Sequence, residues 1–302
     1  MHKLLSSLLL AGLLSSAQSA TAQTTFTLNF AKGSSLKYET ISNTKMSVKG
    51  MDMANNLNAS NTMLLQSMGD SAGQTTINYA ILRNAMNMEG VGAGMNINSD
   101  NPITDSTSKT GILSKLYKEM TNTTFTLYLN KKGEVVQEKG FKEWVKDHKK
   151  LQADLKEIMG TQMNMIDMNM FKQSYSTLFS ILPDKPVKVG GKWKKRSTVS
   201  TNGISMNYDN TYILDSIDEH KAVIKVTSDI YAHSTLESMP DVSVNIMGDS
   251  KGVIWLDVKT GMVIKRTADT HIESKPEMKG AAVMGNEIPT SIIESTSSIE
   301  AK

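Results

Sequence analysis

Methionine is the residue type whose abundance and spacing first suggest chemistry. The chain has 21 methionines, and the densest cluster is Met163-Asn164-Met165-Ile166-Asp167-Met168-Asn169-Met170. Thioether sulfur suits Cu(I), so a copper site is one interpretation. On a helix, however, Met163 and Met170 share one face while Met165 and Met168 lie roughly a quarter turn away, so one ion would not gather all four. We favour the alternative that these flexible side chains fill core gaps or line an adaptable apolar groove.

The histidines do not have the spacing of a metal site. No two lie one helical turn apart, and those beyond the N-terminal segment are scattered singly as His148, His220, His233 and His271. The chain has no cysteine, which excludes thiolate metal ligands, disulfides and a cysteine nucleophile. We therefore expect no metal and no cofactor.

Hydrolytic chemistry also lacks a recognisable set of residues. There is no Gly-x-Ser-x-Gly sequence, and Asp215, Asp218 and Glu219 fall at a predicted turn, where solvated acids are ordinary. The glycine-rich stretch Gly90–Gly94 lacks the Lys-Ser/Thr ending of a phosphate loop and does not open a helix. We expect that the protein is not an enzyme, and a hydrolase is kept as the second alternative.

The N-terminus has the pattern of a signal peptide. Met1-His2-Lys3 is positive, Leu4–Leu14 is mostly apolar, and Ala20-Thr21-Ala22 supplies the small residues that a signal peptidase recognises. We predict a signal peptide over residues 1–22, since the apolar run is far shorter than the ~20 residues that span a bilayer. Without a cysteine to carry a lipid, the expected location is periplasmic or extracellular, in soluble form and not lipid-anchored.

The charge pattern and the low aromatic content argue against a nucleic-acid partner. The formal net charge is +3, basic and acidic residues are interspersed, and only 6% of residues are aromatic. A nucleic-acid surface needs a broad basic stripe with stacking aromatics. We expect no nucleic acid, no transmembrane segment, and a partner that is either an apolar small molecule or an envelope protein.

Two stretches of the sequence recur in the same order, which predicts a duplicated unit. Residues 57–70 resemble residues 206–219, and the hairpin-like 128–136 is echoed by 255–264. We divide the chain into the signal peptide (1–22), β-rich repeat A (23–140), a helical insert (141–185) and β-rich repeat B (186–302).

Local patterns predict the elements within these units. Alternation predicts strands at 25–30, 36–41, 61–67, 75–81 and 125–129, with Gly133 as the left-handed turn residue of a hairpin, and again at 206–215, 222–228, 253–266 and 288–300. Helical spacing predicts a short helix carrying Ile112, Leu116 and Met120, whereas 86–110 is expected to be a long mobile loop.

The helical insert has an unusually wide apolar surface. A first helix carries Phe141, Val145, His148 and Leu151 on one face, and a second helix over 162–182 is apolar around most of its circumference. Such a helix needs burial against something large, most simply a curved sheet. The expected fold is therefore α+β, mainly antiparallel β, with two duplicated halves around a helical insert in a half-barrel or sandwich-like arrangement.

Several motifs carry a resemblance to a family of exported proteins of unknown function that is common in Bacteroidetes. They are Lys32-Gly33-Ser34-Ser35-Leu36-Lys37-Tyr38, the mid-chain stretch Leu182–Trp193, and Gly252–Asp257. The family offers no activity or site residue to transfer. A looser architectural resemblance is to half-barrels plugged by helices, as in periplasmic lipoprotein carriers, and it implies a lipid-like ligand.

We hypothesise from these observations an exported binding protein for an apolar or lipid-like ligand. The space between insert and sheet would be lined by Met165, Met168, Phe171, Phe179 and Ile181, because such sites are mostly apolar and pre-formed. The alternative is a non-catalytic structural or interaction module of the bacterial cell envelope.

Overall fold

The structure is a computed structural model in which most of the chain can be described. The described residues are 23–52, 54–90, 94–105, 108–121, 123–151, 153, 178–201, 204–236, 239–278 and 289–302. They contain the strands β1 (Ser35–Val48), β2 (Ala54–Ser71), β3 (Gln74–Glu89), β4 (Met95–Asn98), β5 (Thr124–Asn130), β6 (Val135–Lys139), β7 (Lys192–Thr201), β8 (Ile204–Ile217), β9 (Lys221–Leu236), β10 (Met239–Asp257), β11 (Val263–Met278) and β12 (Ser291–Ala301), and the helices α1 (Lys109–Met120) and α2 (Phe141–Asp147).

All these strands belong to one antiparallel sheet. Its order is β6-β5-β3-β2-β1-β12-β11-β10-β9-β8-β7, with β4 paired to β3. The first and last strands are neighbours, since β1 pairs with β12 from Tyr38↔Ala301 to Val48↔Ser291. The predicted mainly antiparallel β fold is confirmed, and its strands form a single sheet rather than two stacked sheets.

The hydrophobic core lies towards one end of these strands, which we call the base. The base holds the β2–β3, β5–β6, β8–β9 and β10–β11 turns, and the opposite end is the far end. Successive side chains of a strand point to opposite faces of the sheet. Near the base, the side chains on one of these faces are apolar, on strands from both edges of the sheet. One cluster contains Tyr38, Leu65 and Leu127 together with Leu214 and Ile254, and all five side chains are 0% exposed. We call this the inner face, and the opposite one the outer face.

An N-terminal segment, which we call the crossing segment (24–34), closes the base. It contacts four distant places in turn: Thr24 bridges Val187, the Leu28 amide donates to the Lys131 carbonyl, the Asn29 amide to the Thr260 carbonyl and the Gly33 amide to the Ser67 carbonyl. Its alternating residues Phe26, Leu28 and Phe30 are buried in the core. The predicted strand at 25–30 is wrong, because these amides bond to turn carbonyls instead of a neighbouring strand, but the predicted alternation is present.

The segment 178–187 links the two edges of the sheet at the base. On the β6 side, the Ser180 hydroxyl donates to the Gly133 carbonyl at 3.2 Å, and Lys132 lies 2.9 Å from Asp184. On the β7 side, the Trp193 indole donates to the Ile181 carbonyl at 2.8 Å. Asp184 also lies 3.6 Å from Lys195, so one carboxylate contacts cations on both edges.

Replacing Asp184 with asparagine is expected to remove a pH-dependent part of the stability. The hydrogen bond from Lys132 holds the pKa of this carboxyl below its usual value, so the ionised form stabilises the fold above about pH 4 and this contribution disappears as pH falls through the folded-state value. The midpoint temperature of thermal unfolding should be lower for Asp184→Asn than for wild type at pH 7, and the difference should disappear as pH falls through the folded-state pKa of Asp184. Asp70→Asn, at an exposed acid, is the control; an equal loss there, or a gap that persists in acid, contradicts this role.

The two predicted helices that the structure describes are present. In α1 the predicted apolar positions Ile112, Leu116 and Met120 are buried, and Ser108 caps the N-terminus by accepting from the Gly111 amide. In α2 the structure buries Phe141 as predicted, together with Trp144, which the predicted face did not include. Most of the predicted second helix, 162–182, lies outside the described residues.

The predicted long loop over 86–110 is wrong for 86–89, 95–98 and 109–110, which are regular structure. Strand β3 continues to Glu89, β4 returns beside it with Met88 opposite Met95, and α1 begins at Lys109. The sequence here lacks alternation because the end of β3 is only partly buried on both faces, and β4 is so short that it contributes a single core residue, Ile97.

Candidate functional site

A polar groove on the outer face is the candidate functional site. Its volume is about 720 Å³, and it spans the central strands of the sheet away from the core. It is lined by Asn43, Thr44, Lys45, Asn56, Asn58, Glu89, Asp249, Lys251, Asp269, Thr270, His271, Glu294, Ser295 and Thr296. Phe, Tyr and Trp side chains are absent from this lining.

One row of side chains runs across six adjacent strands of the groove. The strand registers place its members directly opposite one another in the order Asp249, His271, Glu294, Lys45, Asn56 and Glu89, on β10, β11, β12, β1, β2 and β3. Neighbouring strands lie about 4.8 Å apart, so the row is about 24 Å long. Residues far apart in the chain therefore form one continuous polar surface.

A second row lies beside the first on the same face. It runs from Lys251 through Asp269 and Thr296 to Asn43 and Asn58. Lysines and acids stand at neighbouring cross-strand positions, as Lys251 opposite Asp269 and Lys45 opposite Glu294. None of these four is in an ion pair within 4.0 Å of another described residue.

The first row continues as an acidic line beyond the groove. Asp249 pairs in register with Asp229, and Asp229 pairs with Asp209 on β8. At the edge strand, Arg196 donates two hydrogen bonds to Asp209, at 2.6 and 2.9 Å, and these hold the pKa of that carboxyl below its usual value. Like charges at opposed positions repel, so the row concentrates negative potential on the outer face.

Two glycines let β10 approach β11 closely where the groove is formed. Gly248 and Gly252 flank the segment that carries Asp249 and Lys251. A Cβ at Gly248 would overlap the His271 carbonyl oxygen, and one at Gly252 would overlap the Thr267 carbonyl oxygen. Glycine is required here for close backbone approach, which sets the shape of this part of the sheet.

On the inner face behind the groove, hydroxyl pairs lie beside a second apolar cluster of Ala232, Val244 and Ile246, against which Ile272 packs. Thr44 and Ser295 lie 3.0 Å apart across β1 and β12, and the Thr270 hydroxyl donates to Ser250 at 2.9 Å. Cross-strand hydroxyl pairs of this kind stabilise a sheet. The side chains of Thr44, Thr270 and Ser295 thus lie on the inner face, although these three residues also border the groove through their strands.

Two of the five residues predicted to line an apolar site lie in the described part of the chain, and both are in the core. Phe179 and Ile181 are each 1% exposed and belong to the main core cluster. Their surfaces are already covered by protein, so they support the core at the base. Met165, Met168 and Phe171 lie outside the described residues.

The candidate catalytic and metal residues remain apart. Asp218 accepts hydrogen bonds from the His220 and Lys221 amides, which lower the pKa of its carboxyl, so it stabilises the predicted turn. Across the described part of the chain, no group of three or more histidine, cysteine or acidic side chains is arranged to hold a metal ion. Nor is any helix within that part long and apolar enough to cross a bilayer.

Comparison with solved structures gives only distant similarities. An outer membrane channel from Pseudomonas putida F1 is 9% identical, over 90% of this chain and 96% of the channel, with a TM-score of 0.24. OpdQ of Pseudomonas aeruginosa is 4% identical over 89% and 98%, with a TM-score of 0.22, and the Vibrio cholerae outer membrane protein OmpT is 7% identical over 89% and 98%, with a TM-score of 0.19. At these scores the similarities carry no argument about fold or function.

The family comparison is more informative than the comparison with single proteins. No curated protein matches the chain. The model of DUF6263, a family of unknown function, matches residues 72–263. This range includes both edge strands of the sheet and three residues of the groove lining, Glu89, Asp249 and Lys251. The match covers more than half of the chain, and the protein therefore belongs to this family.

Proposed function

We propose that this protein is an exported, non-catalytic interaction module that binds an extended, net basic peptide segment in the outer-face groove. The observation that carries the proposal is the groove itself, where charged and amide side chains converge from six strands. Its acids and lysines do not form ion pairs with one another, so their charged groups can bind a ligand. The partner class is a polypeptide of the bacterial cell envelope.

The chemistry of the lining favours a peptide. Four carboxylates (Glu89, Asp249, Asp269, Glu294) outnumber two ammonium groups (Lys45, Lys251), which favours a net positive ligand. The asparagine amides provide both donors and acceptors, as a peptide backbone requires. The lining has no Phe, Tyr or Trp side chain and a single imidazole, His271, so it offers little stacking surface for flat or cyclic ligands.

The length of the first row sets the length of the bound segment. A row of about 24 Å accommodates about seven residues of extended chain at ~3.3 Å each. Binding in this mode relies on polar contacts at a solvated surface, so we expect affinity that falls as salt screens the charges.

The proposed location is the periplasm or the extracellular medium. It rests on the signal-peptide pattern of residues 1–22 and on the absence of cysteine.

An apolar or lipid-like ligand is the competing proposal, and it depends on residues outside the described part of the chain. Native mass spectrometry of protein from its own host distinguishes the two, because a bound lipid adds a discrete mass.

Peptides of about eight residues and matched composition, made net positive, neutral and net negative, test the groove directly. We expect the net positive set to bind at least about tenfold more tightly than the net negative set by fluorescence anisotropy at low salt. In the variant Asp249→Asn/Asp269→Asn/Glu294→Gln, that affinity should fall at least about tenfold, since three of the four carboxylates lose their charge.

The matched control removes three acids elsewhere. Asp70→Asn/Asp147→Asn/Glu277→Gln changes the net charge equally but leaves the groove intact, and it should retain affinity within about threefold. Equal losses in both variants would mean that net charge, not the groove, attracts the peptide. No charge preference in wild type would refute the proposed ligand class.

We also infer that the two β-rich halves arose by duplication. Residues 57–70 lie in β2 and the similar residues 206–219 begin in β8, and each of these strands is the second in a run of antiparallel neighbours. The second similar pair lies on the β5–β6 and β10–β11 hairpins, each of which comes later in its run. These matching positions support the inference.

A further inference from the structure

A lysine-rich surface at the base is separate from the groove and unused by the proposed function. The crossing segment leaves Thr25, Thr27 and Asn29 exposed, because its alternate residues are in the core. Around this segment stand exposed lysines at or beside the places that it contacts. We call the set Lys32, Lys131, Lys188 and Lys259 the base lysines.

Backbone contacts place the four base lysines around the crossing segment. The Lys131 carbonyl accepts from the Leu28 amide, and Lys259 precedes Thr260, whose carbonyl accepts from the Asn29 amide. Lys188 follows Val187, which bridges Thr24. Lys32 lies within the segment, and its side chain reaches Gly69 at the end of β2.

The base lysines are electrostatically available. None is in an ion pair with another described residue. Three acids at the same end are already engaged: Asp184 by two lysines, Asp218 by backbone amides, and Glu134 by the Asn130 side-chain amide at 2.6 Å. Asp218 and Glu134 keep their negative charge, as do the exposed Asp70 and Glu219 at the same end, but none of these acids lies within 4.0 Å of a base lysine. The ammonium groups of the base lysines therefore remain available to an anionic partner.

Apolar side chains flank this basic surface. Val189, next to Lys188 in the turn before β7, is 46% exposed, and Met68, next to Gly69 and hence close to Lys32, is 45% exposed. Lysines together with exposed apolar side chains match an anionic bilayer surface, which offers phosphate groups and an apolar layer beneath them. A polyanion in solution would use the lysines but give the apolar side chains no role.

We propose that the base docks this protein peripherally onto an anionic lipid bilayer, through the base lysines and the adjoining Val189 and Met68. The outer-face groove then remains away from the bilayer contact and free for its own ligand. The proposal does not depend on the identity of that ligand.

Sedimentation with phosphatidylglycerol vesicles tests this proposal, with phosphatidylcholine vesicles and heparin as comparison probes. The chain from Gln23 onward should bind the anionic vesicles, bind the neutral ones at least about tenfold less, and lose binding as salt rises. Each lysine near an anionic surface contributes about 1 kcal/mol, so reversing all four to glutamate should lower the partition coefficient at least about 100-fold. Four Lys→Gln substitutions provide a milder variant if the reversed one does not fold.

A charge-matched control and an apolar variant make the outcome decisive. Lys49→Glu/Lys142→Glu/Lys146→Glu/Lys275→Glu alters net charge equally at other exposed lysines, and it should lose no more than about tenfold. Val189→Ser/Met68→Ser should weaken vesicle binding about fivefold or more and leave heparin binding unchanged. The proposal is overturned if wild type does not bind anionic vesicles, if the control loses as much as the base variant, or if the apolar variant binds vesicles normally.

Discussion

Replacing Gly133 with alanine is expected to lower the free energy of unfolding by about 3–4 kcal/mol, and the same substitution at Gly73 by only about 1–2 kcal/mol. Both glycines have a φ of 79°, in the left-handed region that disfavours a side chain. At Gly73 an added Cβ meets nothing within 4 Å, whereas at Gly133 it overlaps the backbone of Phe179. Because Phe179 is a core residue, the overlap can be relieved only by moving the segment that links the two sheet edges.

Urea titrations of the two variants separate backbone strain from close approach. The shared φ cancels in the comparison, so the extra loss at Gly133 measures the contact between the β5–β6 turn and the linking segment. We expect unchanged m-values with a lower midpoint for Gly133→Ala. Equal losses at both positions would mean that the contact with Phe179 contributes nothing to stability.

The crossing segment gives the second large effect. Leu28→Ala should cost about 3 kcal/mol, because the side chain is fully buried and its removal leaves a cavity. The triple variant Phe26→Ala/Leu28→Ala/Phe30→Ala should lose about 8–15 kcal/mol. This is as large as a typical domain's total stability of about 5–15 kcal/mol, so we expect no cooperative unfolding transition. Circular dichroism with thermal unfolding measures both.

The same segment contains its own control. Thr25→Ala/Thr27→Ala/Asn29→Ala changes the three exposed side chains between the buried ones and should alter stability by no more than about 0.5 kcal/mol each. The backbone bonds of the segment to Val187, Lys131 and Thr260 are untouched in both variants. A cooperative, near-native transition in the apolar triple variant would show that the segment is not part of the core.

Elements with a strong local signal could be predicted from the sequence. The β5–β6 hairpin has apolar alternation on both sides of a glycine, and the structure places Gly133 in the left-handed region as expected. Helix α1 was predictable from its apolar spacing, and the closing strand β12 from its content of Ser, Thr and Ile. In each case a few consecutive residues contain the whole signal.

Elements whose stability comes from distant partners could not be predicted in the same way. β4 is four residues long and is defined by its pairing with the end of β3. In residues 25–30, apolar and polar side chains alternate as they do in a strand. The alternation reflects the burial of every second side chain in the core at the base, whereas the backbone is not part of the sheet. Local pattern reports which side chains face the core, and it does not report what the backbone bonds to.

The groove was inaccessible to sequence reasoning for a related reason. Lys45 and Glu294 stand opposite each other although they are 249 positions apart, because β1 pairs with β12. His271 and Asp249 are brought together by another pairing, and neither position has a motif around it. Exposed charged residues at alternate strand positions were the only available signal, and it is common to every solvated sheet face.

The pairing of β1 with β12 has a consequence for how the chain acquires its fold. The strand that emerges first from a ribosome or an export channel must wait for the last one before its second edge is satisfied. Contacts of such large sequence separation make folding slow, and they disfavour completion during vectorial synthesis or translocation. Until β12 arrives, β1 presents an open edge that invites association with other chains, so an assisting chaperone would act best by shielding that strand.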